Sequence, residues 1–231
     1  MKNFSLIDLS HHLDPSIPSF NGSCGFEMSL KADYDKGVRI YSYKCHAGIG
    51  THMDSPSHFI PGGLNIGDIP LEDCLAPLYI INCSDKAHPD FFLSAEDIQS
   101  FEKEFEEIEK GAFVVMRSGW ESKWSDNEKY RNVQKDNHMH FPGFSSESVQ
   151  YLLEKEIKGI GIDTLSPDGS SKDFPVHHLV LGKGKYIVEN LCNLSKVPPY
   201  GAYILNAPTK VKKGTEAFVR SIAFIDKSKK S

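Results

Sequence analysis

The sequence predicts a single α/β domain: a mixed β-sheet with helices packed against part of it. Three observations point there. Seven short runs rich in β-branched and aromatic residues read as strands, only two segments carry a clear helical period, and 231 residues suffice to bury one core. Seven strands against two helices do not fit the regular alternation of a doubly wound sheet.

The predicted strands cover 38–45, 78–83, 112–116, 159–162, 186–188, 202–206 and 218–225. Ile98, Phe101, Phe105 and Ile108 recur at helical spacing behind Ser94-Ala-Glu-Asp97, a capping box with Asp where Glu is usual. A second helix starts at Ser145 or Ser146, buries Val149, Leu152, Leu153 and Ile157, and stops before Gly159 and Gly161. The stretch 119–142 is polar, turn-rich and long for a loop, which marks it as functional or mobile. Residues 1–225 are expected to form the domain and 226–231 a solvated polar tail.

Composition narrows the function classes. The chain is 39% hydrophobic and 25% charged, as ordinary globular proteins are, and its net charge of −5 gives no footing for nucleic acid. No apolar run approaches the roughly 20 residues that span a bilayer, and the N-terminus lacks a signal-peptide pattern. The five cysteines, Cys24, Cys45, Cys74, Cys83 and Cys192, are odd in number and contain no C-x-x-C pair. This argues against a disulfide framework and a zinc ribbon. A soluble protein of the reducing cytoplasm is the expectation.

The chemistry concentrates in His46-Ala-Gly-Ile-Gly-Thr-His52-Met-Asp54-Ser-Pro-Ser-His58-Phe59. His52 and Asp54 are two apart, so on an extended chain both point to one side and can reach one cation. Gly48 and Gly50 clear side chains from that point, and Pro56 sets a turn that can bring His58 back. Downstream lie His177, His178 and Glu189. Glu189 interrupts an apolar run, where a carboxylate is costly to bury unless it is paired or bound to a cation. Asp163 and Asp168 close a strand and read as turn residues or as partners of ligands. Imidazole plus carboxylate without thiolate favours zinc, manganese or iron(II). Such a cation, with one position open, brings the pKa of its water down to about 7.

Residues 50–59, Gly-Thr-His-Met-Asp-Ser-Pro-Ser-His-Phe, resemble the G-T-H-x-D-x-P-x-H-F part of the motif of the cyclase family of metal-dependent hydrolases, which includes bacterial kynurenine formamidases and isatin hydrolase. The resemblance continues through Asp8-Leu-Ser10, Pro18-Ser-Phe20, Arg117-Ser-Gly-Trp120, Phe141-Pro-Gly-Phe144, the segment 161–168, and Glu189-Asn-Leu-Cys-Asn-Leu194. It implies a β/β/α, swivelling-domain-like fold assembled into homo-oligomers, dimers or tetramers, and one or two divalent ions, zinc or manganese. It implies His52, Asp54, His177 and Glu189 as metal ligands, His58 as proton carrier and Phe20 beside the substrate. The family's first ligand falls at Gly48, and His46 lies two residues earlier. Either residues 48 and 49 loop out and leave His46 as the ligand, or that ligand is lost.

The leading reading is hydrolysis of an amide, either an aryl formamide such as N-formylkynurenine or a cyclic amide. A 2-His-1-carboxylate iron oxygenase built on His52, Asp54 and His177 is a second reading, which leaves Glu189 without a role. A non-catalytic small-molecule-binding relative with a degraded metal site is a third, motivated by Gly48.

Overall fold

The computed structural model describes residues 3–23 and 25–227. Cys24 and most of the expected tail lie outside them. Twelve strands and five helices are present among these residues. The strands are β1 (Phe4–Asp8), β2 (Phe26–Ala32), β3 (Ile40–Cys45), β4 (His52–Asp54), β5 (Leu75–Asn82), β6 (Phe92–Leu93), β7 (Phe113–Arg117), β8 (Gly143–Phe144), β9 (Gly159–Ile162), β10 (Tyr186–Glu189), β11 (Ala202–Pro208) and β12 (Glu216–Asp226). The helices are α1 (Leu71–Cys74), α2 (Ala95–Glu104), α3 (Asn127–Arg131), α4 (Ser146–Glu154) and α5 (Pro175–Gly182).

The main sheet runs β1-β12-β11-β5-β7-β9-β10-β4, and β4 also pairs with β12. That extra pairing closes seven strands into a barrel and leaves β1 on its rim. β5, β7, β9 and β10 are mutually parallel, and the other pairings are antiparallel. The sheet is therefore mixed, as expected. β2 and β3 form a separate antiparallel ribbon.

Alternation along each strand divides the core in two. Phe113 and Val115 join Leu78, Ile80, Met53 and Val188 in one cluster. Val114 and Met116 join Tyr79, Ile81, Ile160 and Ile187 under Ile98, Phe101, Val149, Leu152, Val176 and Val180 of the helices. Helices α2, α4 and α5 thus cover the face of the parallel strands that points away from the first cluster.

Several expectations met a physical limit. Helix α2 begins with the capping box, in which the Ser94 hydroxyl accepts from the Asp97 N–H at 3.2 Å. It ends at Glu104, short of Ile108, and Ile108 is still buried because the chain folds back onto the core. Helix α4 stops at Glu154, and Glu156 turns left-handed (φ 55°) before β9. Strand β3 starts at Ile40, two residues later than expected, and Val38 is exposed. The 119–142 stretch holds α3 and packs Trp120, Tyr130, Met139 and Phe141 into a small core of its own with Leu165. No helix among the described residues is long and apolar enough to cross a membrane.

Candidate metal centre

Register explains why residues distant in sequence meet. On β4, Met53 points into the first cluster, so His52 and Asp54 point out of the opposite face. Glu189 of β10 lies directly across from His52, and Glu216 of β12 directly across from Asp54. Three strands therefore present four polar side chains to one spot. Helix α5 approaches from the covered side and adds His177.

The distances are short. His52 Nε2 lies 3.3 Å from Glu189 Oε2 and 3.6 Å from Asp54 Oδ1. His177 Nε2 lies 3.5 Å from Asp54 Oδ2 and 3.4 Å from Glu189 Oε1. His52, Asp54, His177 and Glu189 are all buried. Among the described residues two sets of groups lie close enough to share an ion: Asp54 with His177 and Glu189, and Asp54 with His52 and Glu216. Asp54 belongs to both, and each of its oxygens faces a different histidine.

Both Asp54 oxygens are buried and accept no hydrogen bond. A carboxylate in that condition carries a large desolvation cost unless a cation sits on it. Burial pushes Asp54 upward, but the neighbouring His52 and His177 outweigh it and hold its carboxyl below the usual range. Glu189 goes the other way: burial, reinforced by Asp54, pushes it up to about 7. Burial opposes charging His52 and His177, yet the facing carboxylates outweigh it and raise both. Without a cation the cluster thus holds protons between its ligands, and a divalent ion of oxygen and imidazole preference would replace them. The donor set fits such an ion, with imidazole nitrogens, carboxylate oxygens and no thiolate.

Each histidine is oriented by its far nitrogen. His177 Nδ1 forms a very short contact with Asp168, whose carboxylate also accepts the Val176 N–H at 2.7 Å and so caps α5. His52 Nδ1 lies 3.0 Å from the Gly50 carbonyl. In both rings Nε2 faces the carboxylates. The Phe59 ring stacks on His177 at 4.6 Å between centroids and limits its rotation.

A cavity of about 400 Å³ opens onto this cluster. Phe20, Phe59, Phe174, Leu165 and Ile49 form apolar walls, and His58 stands at its edge. His58 Nε2 lies 3.3 Å from Glu216 Oε2. Phe20 faces Phe174 at 6.1 Å between centroids, and Phe174 faces Phe59 at 5.6 Å. Phe174 has a left-handed backbone (φ 49°), rare for a bulky residue.

The structure brings His52, Asp54, His177 and Glu189 together, with His58 and Phe20 on the same cavity. His46 lines that cavity but is exposed, and among the described residues it belongs to neither ligand group. The chain bends over residues 47–51 without carrying His46 inward. A Cβ on Gly48 would lie 2.9 Å from Glu216 Oε2, so the missing side chain at 48 leaves room for the Glu216 carboxylate. Glu216 went unforeseen because only the β4–β12 register, between residues far apart in the chain, places it there. Phe174 is also new. The sole local signal for α5 and its preceding turn is Pro175 at the first helical position.

Known proteins resemble this chain in sequence and in fold. A family model described as "Putative cyclase" matches residues 7–169. The chain is 34% identical over 191 residues to an isatin hydrolase of Roseibium aggregatum, covering 78% of this chain and 72% of that protein. It is 26% identical over 192 residues to a kynurenine formamidase of Bordetella petrii, covering 80% and 82%. The solved structure of isatin hydrolase A from Labrenzia aggregata, bound to benzyl benzoate, superposes with a TM-score of 0.91 at 32% identity, over 97% of this chain and 95% of that one. The chain belongs to the Putative cyclase family, and within it is an enzyme of the hydrolase class.

Proposed function

We propose that the protein hydrolyses an amide carried on an aromatic ring, with a cyclic aryl amide of the isatin kind as first choice and N-formylkynurenine as second. One observation carries the reading: the buried Asp54 carboxylate, which accepts no hydrogen bond and faces two imidazoles, lines a cavity together with Phe20, Phe59 and Phe174. Flat aromatic walls suit a planar ring and keep bulk water from it. The higher identity to an isatin hydrolase supports the order of the two substrates.

His52, Asp54, His177 and Glu189 would hold a divalent ion, zinc or manganese, and the Glu216 side of Asp54 offers room for a second. Such an ion supplies a Lewis acid and an acidified water. The chain's own groups do the rest. His58, beside Glu216 and open to the cavity, accepts the proton of the attacking water at Nε2 and returns it to the departing nitrogen. Phe20 and Phe174 orient the ring so that the carbonyl faces Asp54 and Glu189. Glu216 in the space beside Gly48 removes the motive for a degraded, purely binding site. Glu189, in reach of both histidines, leaves the oxygenase triad with a surplus carboxylate.

We also place the protein in the cytoplasm as a homo-oligomer. Cys45, Cys74, Cys83 and Cys192 are free, which supports a reducing compartment. Exposed Met28, Leu30, Tyr41 and Tyr43 share one face of the β2–β3 ribbon. A two-stranded ribbon is marginal alone, so covering by a second copy is favourable. The test of function is an assay of isatin and N-formylkynurenine before chelation, after it, and after zinc or manganese is restored. Turnover that disappears with the metal and returns with it supports the reading, and full turnover without bound metal contradicts it.

A further inference from the structure

Both histidines need their far nitrogen fixed, but only His177 has a carboxylate for the purpose. His52 leans on the Gly50 carbonyl, a main-chain group in the bent 47–51 segment, at a glycine with φ 62°. Such a carbonyl orients a ring well only if it is itself held. The Asn190 side-chain Nδ2 donates to that same carbonyl at 2.9 Å. Asn190 Oδ1 lies 2.9 Å from the Tyr130 hydroxyl, which shares its proton with the Asp163 carbonyl, also at 2.9 Å. Both side chains are buried, Asn190 at 1% exposure and Tyr130 at 0%. The Gly50 carbonyl gives the amide one sense: turned over, it would set Oδ1 against the Gly50 oxygen. The main chain of Asn190 is tied to the same segment, since the Thr51 hydroxyl donates to its carbonyl at 2.6 Å. Asn190 directly follows Glu189 and is left-handed (φ 56°), a conformation asparagine tolerates. It thereby joins the loop that carries His52 to the strand that carries Glu189.

We propose that Asn190 is a positioning residue for His52, acting through the Gly50 carbonyl, and that Tyr130 holds the Asn190 amide in place. The Gly50 carbonyl then keeps the proton on His52 Nδ1 and the lone pair on Nε2, toward Asp54 and Glu189. The amide's hydrogen bonds to Gly50 and Tyr130 give it an orienting role toward His52. This inference rests on the metal-site reading above.

Two variants test it. Asn190→Gly keeps the left-handed backbone and removes the amide, and Tyr130→Phe removes only the hydroxyl. The readouts are the His52 ring tautomer, from 15N spectra of metal-free protein at a pH where the ring is neutral, and the zinc dissociation constant by chelator competition. The expected result is a single Nδ1–H tautomer in the wild type and mixed tautomers in both variants. Zinc binding weakens by about 10- to 100-fold in Asn190→Gly, and less in Tyr130→Phe. A purely structural role would lower thermal stability and leave the tautomer unchanged. Single Nδ1–H tautomers and wild-type zinc affinity in both variants would overturn the inference. Tyr130→Phe decides alone if Asn190→Gly does not fold. Mixed tautomers in the variants of a chain that binds no metal would uphold the positioning role and remove the metal reading instead.

Discussion

The two histidines of the site are held by opposite means. His177 sits on a helix, and one carboxylate, Asp168, both caps that helix and grips the ring. His52 sits on a three-residue strand, and its support is neutral and spread over Gly50, Asn190, Tyr130 and Thr51. Both partners orient the ring and raise its basicity, and a charged carboxylate does so more strongly than a neutral carbonyl. The difference teaches where the site is fragile. On the His177 side one residue carries the function, and on the His52 side several share it.

Asp54 lies between the halves, so its loss should break both. Asp54→Ala is expected to lose bound metal together with roughly a thousandfold or more of turnover, the upper scale for removing one preorganised electrostatic group. Metal analysis of the purified variant beside its kinetics checks this. His58 belongs to neither half. His58→Ala should keep its metal while turnover drops by about 100-fold or more, and equal loss of metal would make His58 a ligand.

Asp168→Asn sharpens the contrast. It should weaken metal binding by about 10- to 100-fold, more than Tyr130→Phe, because a lone charged support is removed against one member of a neutral set. Competition titrations on the two variants side by side decide it, and the reverse order would mean that the His52 side is the brittle one.

The smallest effect is in the pH dependence of stability. In metal-free protein Glu189 is raised to about 7 from 4.5, so the folded form binds more protons and its contribution falls as pH rises across that interval. His52 and His177 are raised above 6.5, so their contribution is full below that value and is lost as pH climbs through their folded values. Asp54 is lowered from 3.8, and its contribution disappears only on acidification below that value. Between about pH 5 and 8 the first three decide, and the melting temperature of metal-free protein should fall. The increment from added zinc should grow over the same interval, because ligation needs the deprotonated groups. Thermal scans with and without zinc measure both trends.

What the sequence disclosed follows from whether a contact is local. The apolar runs that became β5, β7, β9 and β11 are written in consecutive residues, as is the Ser94–Asp97 cap. The i, i+2 spacing of His52 and Asp54 is local too, and they do share a face. Strand β4 itself was illegible, being three residues of which two are polar. Helix α5 was hidden because eight residues, apolar apart from His177 and His178, show no period. Glu216 and the Asn190–Gly50 bond depend on strand register between distant positions, which no local pattern encodes.

Asp54, His52, His177 and Glu189 are proposed to converge on one cation. Anomalous diffraction from crystals grown with manganese tests it most directly. Such convergence predicts a peak roughly 2 Å from an Asp54 carboxylate oxygen and from His177 Nε2. Catalytically active crystals with no peak between those atoms, or with the ion bound elsewhere, would contradict it.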